Sequence, residues 1–193
     1  MGCTSTGTLA KTDTLGQVVA EFLEEEGTCP RGEMKTFRNL DVWEAIKKAA
    51  RARDETGDLY PHQWNSFNRP EVPEQAEASL LECADEIEAC RYFDVLHELV
   101  KSKLQIGRAS EMYWYDTAFR IGISLNLYPQ KVYLHRGTRD GAKNLGIYNG
   151  KEVLEMAELP PELRKMEPYQ VEDFLCMKKD VLHKFNQRPA NRP

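Results

Sequence analysis

One stretch constrains this chain more than any other: residues 73–104, PEQAEASLLECADEIEACRYFDVLHELVKSKL. Leu80, Cys83, Ala84, Ile87 and Cys90 fall at steps of three and four. Phe93, Leu96, Val100 and Leu104 continue the stripe. That is the period of an α-helix with one apolar face; a half-buried strand would alternate with period two. A run of about thirty residues exceeds the usual globular helix, so two helices or one bent helix are expected. His97 stands on the same face, with Phe93 and Lys101 four residues away on either side. A core or rim histidine is the ordinary role for such a position.

The remaining patterns are also helical. DTLGQVVAEFLEEEG (13–27) predicts a helix capped by Asp13 or Thr14, with Leu15, Val18, Val19 and Phe22 on one face and Gly27 at its end. NLDVWEAIKKAARAR (39–53) predicts another, capped by Asn39 or Asp41. In MYWYDTAFRIGISLNL (112–127), Asp116 is placed to cap a helix running to about Leu127. YPQKVYLHRG reads as a turn and a short extended run, and TRDGAKNLGI as a helix capped by Thr138 and stopped by Gly146. Two more short helices are expected around Pro160, Pro161 and Pro168. Residues 54–73 form a long loop holding Tyr60, His62, Trp64 and Phe67. No series of alternating strands exists. The expectation is a mainly α fold: a compact multi-helix domain over 14–186, with room for one short hairpin near 131–136. Residues 1–13 are expected to be a disordered segment and 187–193 a frayed tail.

Composition removes several function classes. No apolar run reaches the roughly 18 residues a bilayer span needs, and no apolar h-region follows the N-terminus. The five cysteines, Cys3, Cys29, Cys83, Cys90 and Cys176, form no Cys-x-x-Cys pair, so neither a metal site nor a cofactor is expected. Cys83 and Cys90 read as buried thiols in a reducing, intracellular compartment, cytoplasmic or nuclear. Charge is distributed unevenly. Residues 1–100 carry 20 Asp and Glu against 10 Lys and Arg, whereas residues 101–193 carry 11 against 16. An acidic half and a basic centre can dock on each other, and the basic centre can also receive phosphate.

Two groups of residues carry candidate chemistry. Arg136, Arg139 and Lys143 surround Gly137 and Thr138 at an expected helix start, where free backbone amides and the helix dipole favour an anion. Capped helices with exposed cations give the same pattern. Asp116 lies among Trp114, Tyr115 and Thr117. A carboxylate walled by rings is desolvated, which brings it towards the range of a general base. A helix cap asks for the same residue type.

The segment YDTAFRIGISLNL resembles the VDTHVxRVxxRLGL segment of helix-hairpin-helix base-excision DNA glycosylases, the group that includes the 8-oxoguanine glycosylases. LQIGRAS (104–110) is similar to that family's LPGIGRxTA hairpin, whose backbone amides hold a DNA phosphate. The resemblance covers residues 104–127. It implies Asp116 as catalytic carboxylate, with Arg108 and Arg120 beside a DNA backbone. Trp64, Trp114 and Tyr115 would supply rings that stack on a flipped base. Arg120 follows the aspartate by four residues where the family has five.

The opening MGCTST fits the N-myristoylation pattern at Gly2, with Cys3 beside it as a palmitoyl acceptor. It resembles the dual-acylation start of Src-type kinases and G-protein α subunits. Two functions are therefore expected as alternatives. One is a small nucleic-acid-binding domain of glycosylase type. The other is a non-enzymatic adaptor with a protein partner, membrane-associated if its N-terminus is acylated.

Overall fold

The computed structural model describes residues 14–28, 32–54, 56–60, 63, 71–106 and 109–186. In chain order its helices are α1 (Leu15–Thr28), α2 (Gly32–Phe37), α3 (Val42–Arg51), α4 (Val72–Leu81), α5 (Ala84–Glu88), α6 (Phe93–Lys103), α7 (Glu111–Leu125), α8 (Arg136–Leu145), α9 (Pro168–Met177) and α10 (Lys179–Leu182). Short 3-10 turns cover Met156–Glu158, Leu163–Lys165 and His183–Phe185. The fold is mainly α. Its contacts group into two compact units, Met1–Gly32 with Gln130–Pro193, and Glu33–Pro129. That division falls inside the stretch 14–186.

Side-chain caps decide where several helices begin. Asp41 Oδ1 accepts from the Glu44 amide at 2.9 Å and starts α3. Thr14 and Gln17 form a reciprocal pair at the head of α1. The Thr14 amide donates to Gln17 Oε1 at 2.7 Å, and the Gln17 amide donates to Thr14 Oγ1 at 3.3 Å. Ser110 caps α7, accepting from the Tyr113 amide at 3.2 Å. Asp116 is thus the sixth residue of α7 and not its cap, which corrects the sequence expectation. The reason lies in burial. Tyr113, Tyr115, Ala118, Phe119, Ile121 and Ile123 are buried on all sides of α7, so its apolar period hides its start.

In the unit Glu33–Pro129, the long apolar stripe is realised as three helices. The chain leaves helical geometry at Cys83 (φ −118°, ψ 26°) and becomes extended at Tyr92 (φ −137°, ψ 141°). Helix α7 packs on α3 and α6, and α4 packs on α3. Gly122 makes one close approach possible, since a Cβ there would stand 2.5 Å from the Leu127 carbonyl oxygen. Cys83 and Cys90 are buried thiols, and burial pushes both thiols up from their ordinary pKa.

In the other unit, Val18, Val19 and Phe22 of α1 join Val132, Leu134, Leu163, Val171, Phe174 and Leu175 in one core. Phe22 and Phe174 meet edge to face with ring centres 5.4 Å apart. Burying each such side chain contributes about 1.5–3 kcal/mol. The extended run forms strand β1 (Val132–Tyr133). It pairs antiparallel with β2 (Val153–Leu154) in the register Val132 to Leu154 and Tyr133 to Val153. Helix α8 lies between the two strands in sequence, so no tight hairpin closes near 131–136.

Candidate functional site

Helix α7 carries a buried polar cluster in the unit Glu33–Pro129. Tyr113, Asp116, Thr117 and Arg120 recur at helical spacing and share one face. Asp116 is 6% exposed and Arg120 is fully buried. The Gln63 side-chain amide, itself fully buried, donates to Asp116 Oδ2. The Arg120 guanidinium lies over the Tyr60 ring, 4.3 Å from its centre, in cation–π geometry. The Tyr113 hydroxyl donates to the Ala50 carbonyl at 2.6 Å and ties this face to the end of α3. Burial pushes the Tyr113 phenol up, so it remains a neutral donor.

The cluster gathers some residues that the sequence singled out and removes others. Asp116 and Arg120 lie together on α7. Arg120, however, has no accessible surface and stacks on Tyr60, so the expected backbone-phosphate role is corrected. Tyr115 is also corrected as a stacking platform. It is 2% exposed and packs against Phe93 and Phe119, with ring centres 6.1 Å away in each case. Trp114 is half-buried, and its indole N–H donates to the Leu104 carbonyl at 2.9 Å. Trp64, Arg108, Gly2 and Cys3 lie outside the described residues. Gln63 and Tyr60, 53 and 60 residues before their partners Asp116 and Arg120, were not legible as neighbours of α7. The loop's cluster of rings was their only signal.

A second polar cluster holds the start of α8 in the other unit. His135, not Thr138, is the N-cap, and the Gly137 amide donates to His135 Nδ1 at 3.2 Å. A lone pair at Nδ1 puts the ring proton on Nε2, which donates to Glu172 Oε1. The Thr138 hydroxyl also donates to Glu172 Oε1, at 2.9 Å. Thr138 is fully buried in this arrangement, so its expected role as a phosphate ligand is corrected.

Gly137 and Gly141 do allow close approach, but towards α9. A Cβ on Gly137 would stand 2.8 Å from Cys176 Sγ, and one on Gly141 only 2.0 Å from the Leu175 carbonyl oxygen. Arg139 donates to the Leu134 carbonyl at 2.8 Å. Arg136 and Lys143 remain exposed, and Lys143 stands 3.9 Å from Asp140. The spacing of His135 and Thr138 was readable, but Glu172, 37 residues beyond His135, carried no sequence signal. Among the described residues, no three His, Cys, Asp or Glu side chains converge as a metal site would require.

Compared with family models, curated proteins and solved structures, the chain matches none. Among the described residues, no helix is long and apolar enough to cross a membrane.

Proposed function

We propose that this chain is a nucleic-acid-binding protein that hydrolyses an N-glycosidic bond, with Asp116 as its general base. The observation that carries this reading is the buried carboxylate of Asp116, bound by Gln63 and four residues from the buried Arg120 on the same helix face. Burying an aspartate and an arginine costs several kcal/mol per ion before pairing, and an apolar pair of similar volume would pack at least as well. Charges kept at that cost concentrate at functional sites. Helices α6 and α7 pack on each other and flank the segment 104–110 that resembles the glycosylase hairpin, which supports the same reading.

In the reaction, Asp116 takes a proton from water as the water oxygen bonds to the sugar C1′. The C1′–N bond breaks, its electron pair leaves with the base, and solvent protonates the freed nitrogen. Gln63 orients the carboxylate that takes the proton. The substrate class implies an intracellular location. A panel of duplexes, each with one damaged or mismatched base, tests the activity through release of free base. Release from at least one member is expected, and none from any member contradicts it.

A second reading is a non-enzymatic adaptor in which the same cluster is a polar brace. The complete burial of Arg120 and the packing of Tyr115 against Phe93 and Phe119 favour it. Under this reading, acylation at Gly2 and Cys3 would supply a membrane anchor. Gly2→Ala should then move the protein from membrane to soluble fractions in eukaryotic cells, and equal partition of both forms removes the anchor.

A further inference from the structure

We infer that a cationic cleft at the end of α3 is the surface that receives nucleic-acid backbone phosphates, an inference that rests on the nucleic-acid reading above. The cleft encloses about 420 Å³, and its lining includes Lys47, Lys48, Arg51 and Arg53 together with Glu44 and Asp54. Residues 1–100 contain only ten Lys and Arg against 20 acids, and four of those ten line this one cleft.

Both acids in the lining are already engaged. Asp54 closes its own turn, accepting from the Thr56 amide at 2.9 Å, the Thr56 hydroxyl at 2.6 Å and the Asp58 amide at 3.1 Å. Those bonds hold its carboxyl below the ordinary range, with the Thr56 hydroxyl contributing most. Glu44 accepts from Lys47 at 2.7 Å, with both side chains about half exposed. Arg51 donates to Glu77 at 2.5 Å while 56% exposed. The Lys47–Glu44 pair is exposed on both sides and therefore weak, whereas Glu77 is only 15% exposed and keeps Arg51.

Helix electrostatics alone does not account for the cluster. Lys48 and Arg51 lie in the last turn of α3, where cations complement the helix dipole. Lys47 precedes that turn, and Arg53 lies beyond the helix, donating to the Gly57 carbonyl at 2.7 Å. The negative end of the dipole also opposes an anion, so one lysine would not suffice here.

The arrangement suits a repeating polyanion better than one phosphate group. Lys47 and Arg51 are one turn apart, about 6 Å along the axis, and Lys48 extends the same strip. A dedicated single-phosphate site would use a free bidentate arginine fork. Here one arginine is tied to Glu77 and the other to Gly57. Lysine point charges positioned along a strip make sequence-independent backbone contacts.

The test is binding of the full chain to a labelled DNA duplex across a salt series, for wild type, Lys47→Gln with Lys48→Gln, and Arg136→Gln with Lys143→Gln. All four side chains are partly or fully solvent-accessible, and circular dichroism checks that each variant is folded. The α3 pair should lose about tenfold or more in affinity, with a salt slope shallower by about two units. The α8 pair, drawn from the cations the sequence singled out, should lose less affinity than the α3 pair, and the reverse order overturns the cleft. Unchanged binding and slope in the α3 pair, while wild type binds DNA, overturns the cleft and leaves the nucleic-acid reading intact. A wild-type protein that binds no DNA at low salt ends that reading itself. A phosphorylated peptide bound through the same lysines in preference to DNA overturns the cleft as a nucleic-acid surface.

Discussion

Aspartate and asparagine differ by one charge and almost no volume, which makes position 116 informative at the scale of a single residue. Gln63 needs an acceptor there. Asp116→Asn keeps an acceptor oxygen, whereas Asp116→Ala strands a buried amide donor at a cost of about 1–3 kcal/mol. The alanine variant should therefore be the less stable of the two in urea unfolding, and the reverse order would contradict the Gln63 contact. Asp116 stood out in the sequence as a carboxylate among rings, whereas Gln63 did not stand out from the aromatic loop that holds it. Their pairing was not visible, because a contact between positions 63 and 116 leaves no trace in a single sequence. Tyr115 shows the opposite limit. Its type suits stacking on a base, but only packing reveals that Phe93 and Phe119 already lie against it.

Elements were legible where one face is apolar and the other polar. Helix α3 buries Val42, Ala45, Ile46 and Ala49 as its period requires, and Asp41 begins it. Helix α7 hides its start because it is buried all round, and an aspartate inside it mimics a cap. Ser110→Ala should lower unfolding free energy by about 1 kcal/mol. No change on thermal melting would contradict Ser110 as the cap. Strand β2 was invisible at two residues long, with its partner strand on the far side of α8. The glycines of α8 and its flank make a sharper prediction. Gly141→Ala drives a Cβ into the Leu175 backbone and should destabilise by about 1–3 kcal/mol or more. At Gly150 an added Cβ meets nothing within 4 Å, so Gly150→Ala costs only what its left-handed φ of +88° demands, about 1–2 kcal/mol. Equal stability of the Gly141→Ala variant and wild type would contradict the α8–α9 packing.

The whole molecule titrates through groups that folding removes from water. His97 is 8% exposed, and desolvation lowers its pKa, outweighing the nearby Glu98 carboxylate at 3.6 Å. The unfolded chain therefore binds a proton near pH 6.5 that the folded chain still refuses. The stability gained from neutral His97 is fully present above that pH and is lost as pH falls below it, by up to about 1.4 kcal/mol per unit. His97→Phe keeps a ring against Phe93 and Tyr115. Its melting temperature should fall less steeply than that of wild type between about pH 7.5 and 5.5, a window set by the ordinary histidine pKa. Parallel curves would contradict it. The mainly α class was legible from period alone, whereas the grouping into two units was not, because it depends on which distant segments meet. The chemistry proposed for Asp116 would likewise depend on the assembled chain, and it is tested by release of free base from a damaged duplex under single-turnover conditions, comparing wild type with Asp116→Asn at a temperature where both are folded. The wild type should release the base, and the variant should lose at least about a hundredfold in rate, in line with removal of a general base. Equal rates in the two proteins would contradict it.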